Sequence, residues 1–547
     1  MSPNQRLVVA VLLSIVFFTA YTAIFPPVQP ELAENAKVDA KTGKIVPSTT
    51  SKQSSANVPS VESVAAGHSI SLEEKSATAE TESIVVVKAK DFILTIDSLG
   101  RISSKELLQA KFRGDHDQHA QLVPTVGAKP LYLRFVDEAL NKEASSVNYV
   151  ASTSTLNLDG TAKSVTLTQK LSNLEITKTL TFYEDGHYDV DISLSQDKRY
   201  FVYLGQRPEI NDKEQMMPIV GAMVYTDDEL VTIIADGDAE GRKSFSGVEL
   251  ISAFEQYNAS IMYSFPKDTT IIVQPSSARD DDGDLAKNPN VSFTGFQNIK
   301  FSGYLGQKDF KVLNAIDPML TNAIEYGWFT FASKPLFSLL LWLHGIFGNW
   351  GWSIIALTAI IRLVLSPLTY KGMVSMQKMK DLAPKMKELK EKFKGDPQRL
   401  NAATMDMYKK HGANPLGGCL PMLMQIPVFF AIYRVLLNAP ELQGASWILW
   451  VNDLSRMDPY YVLPVLMGAS MFLQQRMTPN NFTDPLQEKV FKYLPVIFTF
   501  FFVKFPSGLV LYWFINNLFS IAQQFVVNQQ FKNAKDAKIA LEKKSEK

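Results

Sequence analysis

Arg362 lies near the middle of an apolar run, Trp350 to Tyr370 (WGWSIIALTAIIRLVLSPLTY). A run of that length is long enough to span a bilayer as a helix. An arginine at that depth costs about 2.5–3.5 kcal/mol on insertion scales, so the charge must face water or a partner. Thr358 stands one turn earlier on the same helix face. Gln425, Gln474, Gln475, Asn516, Asn517, Ser520, Gln523 and Gln524 fall in other apolar segments, none of which holds an aspartate or glutamate. A proton relay or ion-coupled transporter would usually need such a carboxylate. The chemistry open to this set is a fixed, unpaired positive charge facing a hydrated groove on the cytoplasmic side. For the amides there is a second reading, in which they hold helices together by hydrogen bonds.

Beside these polar residues stands an apolar wall: Ile426, Pro427, Phe429 and Phe430, then Phe498, Phe500, Phe501 and Phe502, then Tyr512 and Trp513. Each alone could be lipid-facing surface or helix packing. Together with the cationic pocket, the wall suits a substrate with a polar, often acidic, end followed by an apolar helix.

The elements that must position these residues follow from the apolar pattern. Leu7 to Phe25 is 19 residues without a charge, preceded by Arg6. A cleaved signal peptide has a shorter core and a small-x-small site, so the expectation is an uncleaved anchor with its amino terminus inside. Residues 26–82 are rich in Ser, Thr, Ala, Lys and Glu and read as a flexible linker. From Ser83 to Leu305 the period is two. Leu174, Ile176, Leu180 and Phe182 share one face, Glu184-Asp185-Gly186-His187 turns, and Tyr188, Val190, Ile192 and Leu194 resume. This predicts half-buried strands in a large antiparallel β-sandwich lying outside the membrane, residues 83–320. Pro335 to Phe347 is apolar but only 13 residues long. With Pro335 at its first position it predicts a helix lying in the outer interface, within a region 321–349. The alternative is a buried helix of the outer domain.

Residues 371–411 carry eleven lysines and arginines against five acids. Met376, Met379, Leu382, Met386, Leu389 and Phe393 recur at helical spacing, and Gly395-Asp396-Pro397 interrupts. A cytoplasmic two-helix hairpin follows by the positive-inside rule. Further spans are predicted at Gly417–Leu437, Pro459–Gln475, Tyr493–Val503 and Leu509–Val527, with a basic cytoplasmic tail at 531–547. Six spans with both ends inside satisfy the charges. The expected fold class is a multi-span α-helical membrane protein of six transmembrane helices, five of them in a core at 350–530, with a large extracytoplasmic β-sandwich.

The totals exclude several classes. Basic and acidic residues balance at 55 each in 547 residues, so net charge predicts no polyanionic partner. Cys419 is the only cysteine, so no disulfide forms within the chain. There is no Gly-rich phosphate loop with its lysine, no HExxH and no paired-cysteine site, so neither ATP, a metal nor another cofactor is expected. An enzyme built on Cys419 with His411, or on the sandwich, has only weak support. A transporter lacks intramembrane carboxylates and a detectable inverted repeat.

Several blocks resemble the YidC/Oxa/Alb family of membrane protein insertases. They are Asn349-Trp350-Gly351-Trp352-Ser353, Arg362 with Ser366-Pro367-Leu368-Thr369, Asn414-Pro415-Leu416-Gly417-Gly418-Cys419, Gln425-Ile426-Pro427-Val428-Phe429, Asp458-Pro459-Tyr460-Tyr461-Val462-Leu463-Pro464 and Phe505-Pro506-Ser507-Gly508-Leu509-Val510-Leu511-Tyr512-Trp513. The anchor, linker and β-rich domain match the family's long, Gram-negative form. The resemblance implies a β-supersandwich outside the bacterial inner membrane. It implies a substrate groove at Arg362, Thr358, Gln425 and Trp513, although many relatives have tyrosine where Trp513 stands. It implies an apolar substrate slide at Ile426, Phe429, Phe501 and Tyr512. The implied partners are nascent membrane proteins, the Sec translocon, membrane lipids, and the ribosome and signal-recognition receptor through the hairpin and tail.

Overall fold

A computed structural model describes residues 82–109, 119–208, 220–276, 287–326, 329–411, 420–477 and 485–545. The expected anchor, nearly all of the linker, and Cys419 lie outside the described residues.

Among the described residues, strands run from Ser83 to Gln307 in two five-stranded sheets and one nine-stranded sheet. The alternation between Leu174 and Leu194 has its structural counterpart. Strands Glu175–Phe182 and His187–Leu194 pair antiparallel, and the eight apolar residues named above are all buried. Gly186 makes the turn at φ = 94°, where its N–H donates to the Tyr183 carbonyl. A side chain there would be strained. One pairing departs from the antiparallel expectation: Ser83–Lys88 runs parallel to Thr155–Asn157. A short helix α1, Glu138–Ala144, capped by Asp137, lies between strands.

The inner faces of the three sheets share one hydrophobic core. A second core joins the opposite face of the nine-stranded sheet to the helices, through Met223, Leu250, Phe254, Ile261 and Tyr304. Strand Asn258–Tyr263 is therefore buried on both faces, where period-two reading expects one wet face. Polar contacts cross the same junction. Gln256 Nε2 donates to the Leu437 carbonyl at 2.6 Å, and Gln307 Nε2 donates to Gln443 Oε1 at 2.9 Å.

Helix α2, Phe310–Ile316, leads through a 3₁₀ turn at Pro318–Ala323 to α3, Thr330–Phe347. α3 starts five residues before Pro335, so the proline lies inside the helix. Its amino-terminal turns are held by Ser333 Oγ donating to the Ala431 carbonyl at 3.2 Å. Phe337, Leu340 and Leu343 are buried, while Phe331, Trp342, Ile346 and Phe347 are exposed.

α4, Trp350–Asp381, is capped by Asn349, whose side chain accepts from the Trp352 N–H. It runs unbroken from the apolar segment into the basic one, so the first hairpin helix does not begin afresh at Lys371. Residues 384–407 belong to a different compact unit from the rest of the described residues. There α5, Ala383–Lys392, and α6, Pro397–Lys410, flank Gly395 at φ = 99°. Asp396 Oδ1 accepts from the Arg399 N–H at 3.0 Å and caps α6.

α7 is Leu420–Asn438, α8 Val462–Met477, α9 Pro485–Phe502 and α10 Ser507–Ser545. α9 is longer than the 11-residue segment expected, because its first two turns carry Lys489 and Lys492. The first N–H groups of α10 have partners outside the helix. Ser507 donates to the Arg456 carbonyl at 2.7 Å and Gly508 to the Leu454 carbonyl at 2.9 Å. Among the described residues, two helices are long and apolar enough to cross a membrane, Trp350–Asp381 and Ser507–Ala534, with shorter apolar helices at Gln425–Asn438 and Lys492–Phe502.

Candidate functional site

Arg362 is 6% exposed, on a different face of α4 from the exposed Leu363 and Val364. Its guanidinium is held by hydrogen bonds to α10. Nε donates to Asn516 Oδ1 at 2.6 Å, and Nη2 donates to the Asn516 carbonyl at 3.0 Å and to Ser520 Oγ at 2.7 Å. Every acceptor is neutral. A buried guanidinium so placed keeps its hydrogen bonds without cancelling its charge.

Gln425 Nε2 on α7 donates to the same Asn516 Oδ1 at 3.2 Å. Three helices therefore converge on one amide. Around them lies a small recess, part of it open to the surroundings. Its lining comes from Ile361, Arg362, Leu365, Leu368 and Thr369 on α4, Gln425 and Val428 on α7, and Tyr512 and Asn516 on α10. The polar contact between α4 and α10 continues beyond the recess. Gln523 Nε2 donates to Ser366 Oγ at 3.1 Å, and the Tyr370 hydroxyl donates to Gln530 Oε1 at 2.7 Å.

Thr358 is buried one turn from Arg362, but its hydroxyl donates to the Ile354 carbonyl of its own helix at 2.7 Å. It does not line the recess. Trp513 and Tyr512 exchange the places the sequence reading gave them. Tyr512 lines the recess with Arg362, whereas Trp513 packs among Phe429 at 4.7 Å, Phe502 at 4.9 Å and Phe498 at 6.0 Å between ring centroids. Adjacent helical residues point about 100° apart, so the two cannot share a face. Of the residues expected to form a slide, Ile426 and Phe501 are exposed and Phe429 is half-buried. Phe500 is 84% exposed beside them in sequence.

The reading of amides as helix glue fits Asn517, which donates to Ser470 Oγ on α8 at 3.0 Å. Asn516 and Ser520, the residues that hold Arg362, stood in the sequence only as two polar residues among several. Their one signal was a polar pair at four-residue spacing in an apolar helix.

The helical region thus packs against the β-rich domain and carries a buried arginine held by neutral acceptors. Residues 84–339 match the family model described as YidC periplasmic domain, and residues 342–535 match the one described as 60Kd inner membrane protein. The chain is 45% identical to membrane protein insertase YidC of Wolinella succinogenes, covering 98% of this chain and 97% of that one. It is 44% identical to that of Campylobacter jejuni, covering 96% of each. A solved active YidC insertase structure aligns at 18% identity and TM-score 0.34, covering 83% of this chain and 96% of that one. The chain belongs to the YidC family of membrane protein insertases.

Proposed function

We propose that the protein inserts newly made membrane proteins into the inner membrane and assists their folding there. The polar outer segment of a substrate enters the recess at Arg362 while its apolar helix rests on the face formed by Ile426, Phe429 and Phe501. Arg362 attracts carbonyl and carboxylate oxygens in a site of low dielectric, where a charge acts more strongly than in bulk water. Transfer of the apolar helix into lipid drives the step, at roughly 25 cal/mol per Å² of apolar surface. No bond is made or broken, so the process needs no catalytic residue, metal or nucleotide.

The observation that carries this reading is the pairing of Arg362 with neutral acceptors at the edge of a partly open recess. A structural ion pair would have cancelled the charge; this arrangement leaves it available. Six spans with both termini in the cytoplasm fit the distribution of charge and give substrates a cytoplasmic entrance. The hairpin at 371–411 and the basic tail would meet the ribosome and the signal-recognition receptor, and the membrane core would work alone or beside the Sec translocon.

Insertion of a substrate set with graded outer-tail charge tests the proposal. Arg362→Ala should impair substrates with acidic tails most. Equal insertion of all substrates would remove the charge from the mechanism.

A further inference from the structure

The connection between α7 and α8 closes into a tight loop. The Trp447 N–H donates to the Val451 carbonyl at 2.9 Å and the Val451 N–H to the Ile448 carbonyl at 3.1 Å. Trp447 and Trp450 pack against the helical core. Ile448 and Leu449, at the tip, are exposed instead, and Leu449 is 79% exposed. Leu449 also has φ = 53°, a left-handed conformation that a bulky side chain rarely adopts. A turn facing water takes glycine or asparagine at such a position. Here the backbone is held in a costly shape that projects an aliphatic pair outward.

The loop's position along the membrane-spanning helix is fixed. Asn349 Nδ2 donates to the Ser446 carbonyl at 3.0 Å, and the Trp352 and Trp447 rings meet edge-on at 5.9 Å. Gly351 makes room for this contact, since a Cβ there would collide with the Trp447 ring. The loop is thus clamped to the first turn of α4. From residue 350 to Arg362, α4 rises about 18 Å at 1.5 Å per residue. The hydrocarbon core is about 30 Å thick, so with Arg362 near its centre the first turn of α4 reaches its outer edge. Trp352, exposed on that turn, suits the headgroup boundary.

We propose that Ile448 and Leu449 insert into the acyl chains of the outer leaflet, making the loop a lipid-binding wedge fixed to the span that carries Arg362. The apolar tip is held beside the first turn of α4, and Trp447 and Trp450 anchor it from within. The proposal goes beyond the insertase reading. It rests on the expected topology, in which α4 spans the membrane with its first turn outside and Arg362 near the centre.

The test uses the full chain with Cys419→Ser, spin-labelled at Leu449→Cys and reconstituted alone into vesicles of phosphatidylethanolamine and phosphatidylglycerol. Power-saturation measurements compare collision with oxygen, which partitions into lipid, and with a water-soluble nickel chelate. References are Val364→Cys on the exposed face of α4 and Asp268→Cys in an exposed loop of the β-rich domain. The oxygen-to-nickel ratio at Leu449→Cys should exceed that at Asp268→Cys several-fold and approach that at Val364→Cys. A ratio matching Asp268→Cys would overturn the wedge. Labelling at Ile448→Cys repeats the test without altering Leu449, should that substitution disturb the turn.

Discussion

Asn516 holds Arg362 twice, accepting from Nε through its side chain at 2.6 Å and from Nη2 through its backbone carbonyl at 3.0 Å. The grip fixes one edge of the guanidinium against α10. The same side-chain oxygen accepts from Gln425, so this amide ties α4 and α7 to α10.

Asn516→Ala should therefore lower the stability of the helical core by about 1–3 kcal/mol, the cost of leaving a buried donor without its acceptor. Thermal unfolding of the purified protein in detergent checks this. An unchanged midpoint would mean that water readily replaces Asn516.

Arg362→Lys separates charge from geometry. Lysine keeps the positive charge but cannot reproduce the planar two-point contact. The variant should retain much of the insertion of acidic-tailed substrates while melting earlier than the parent. Loss of insertion equal to that of Arg362→Ala, in protein that remains folded, would place the weight on hydrogen-bond geometry. Parallel insertion and melting measurements on both variants decide it.

Lys178 lies on an inward-facing position of strand Glu175–Phe182 and is fully buried. Its Nζ donates to the Gly100 and Leu131 carbonyls, each at 2.9 Å, and sits 4.8 Å from the centre of the Tyr149 ring. Burial pushes its pKa down to about 7, with Asp97 opposing and Arg101 reinforcing the shift. The unfolded chain keeps the ordinary lysine value near 10.4 and so binds more protons than the folded chain between these limits. This residue's contribution to stability therefore rises with pH from about 7 to about 10 and is flat below that window. Urea unfolding of the β-rich domain across that range should show the slope, and Lys178→Met should reduce it. An identical slope in the variant would mean that other groups set the pH dependence.

What the sequence makes legible follows from local periodicity. The hairpin around Gly186 can be read because its eight apolar residues alternate on both sides of the turn, interrupted at one position. Lys178 breaks that alternation. On local evidence a lysine belongs to the wet face, and only the carbonyls of Gly100 and Leu131, distant in sequence, make its burial possible. The doubly buried strand Asn258–Tyr263 is hidden for a related reason. Asn258 and Ser260 look solvent-facing but share the face of Met262 toward the sandwich core, where Ser260 Oγ donates to the Leu204 carbonyl at 3.0 Å, while Ala259, Ile261 and Tyr263 meet the helical region. Arg362 announces itself by its cost in an apolar helix, but its partner is 154 residues away. The contacts between α4 and α10 advance by four residues on one helix, 362, 366 and 370, and by seven on the other, 516, 523 and 530. Those pairs show only once the two helices are known to be neighbours. Tyr512 and Trp513 could not be assigned to recess or wall from their order, because the rotation of α10 decides which faces which.

The substrate path itself is tested most directly by photo-crosslinking. A photoreactive amino acid at Ile426, and separately at Phe501, would be challenged with ribosome-bound nascent chains of increasing length that carry one apolar helix. The account predicts crosslinks at both positions that appear only when that helix has emerged from the ribosome. They should weaken for acidic-tailed chains when Arg362 is replaced by alanine. Silence at both positions in folded, membrane-integrated protein would contradict it, and Arg362 would then be a structural charge.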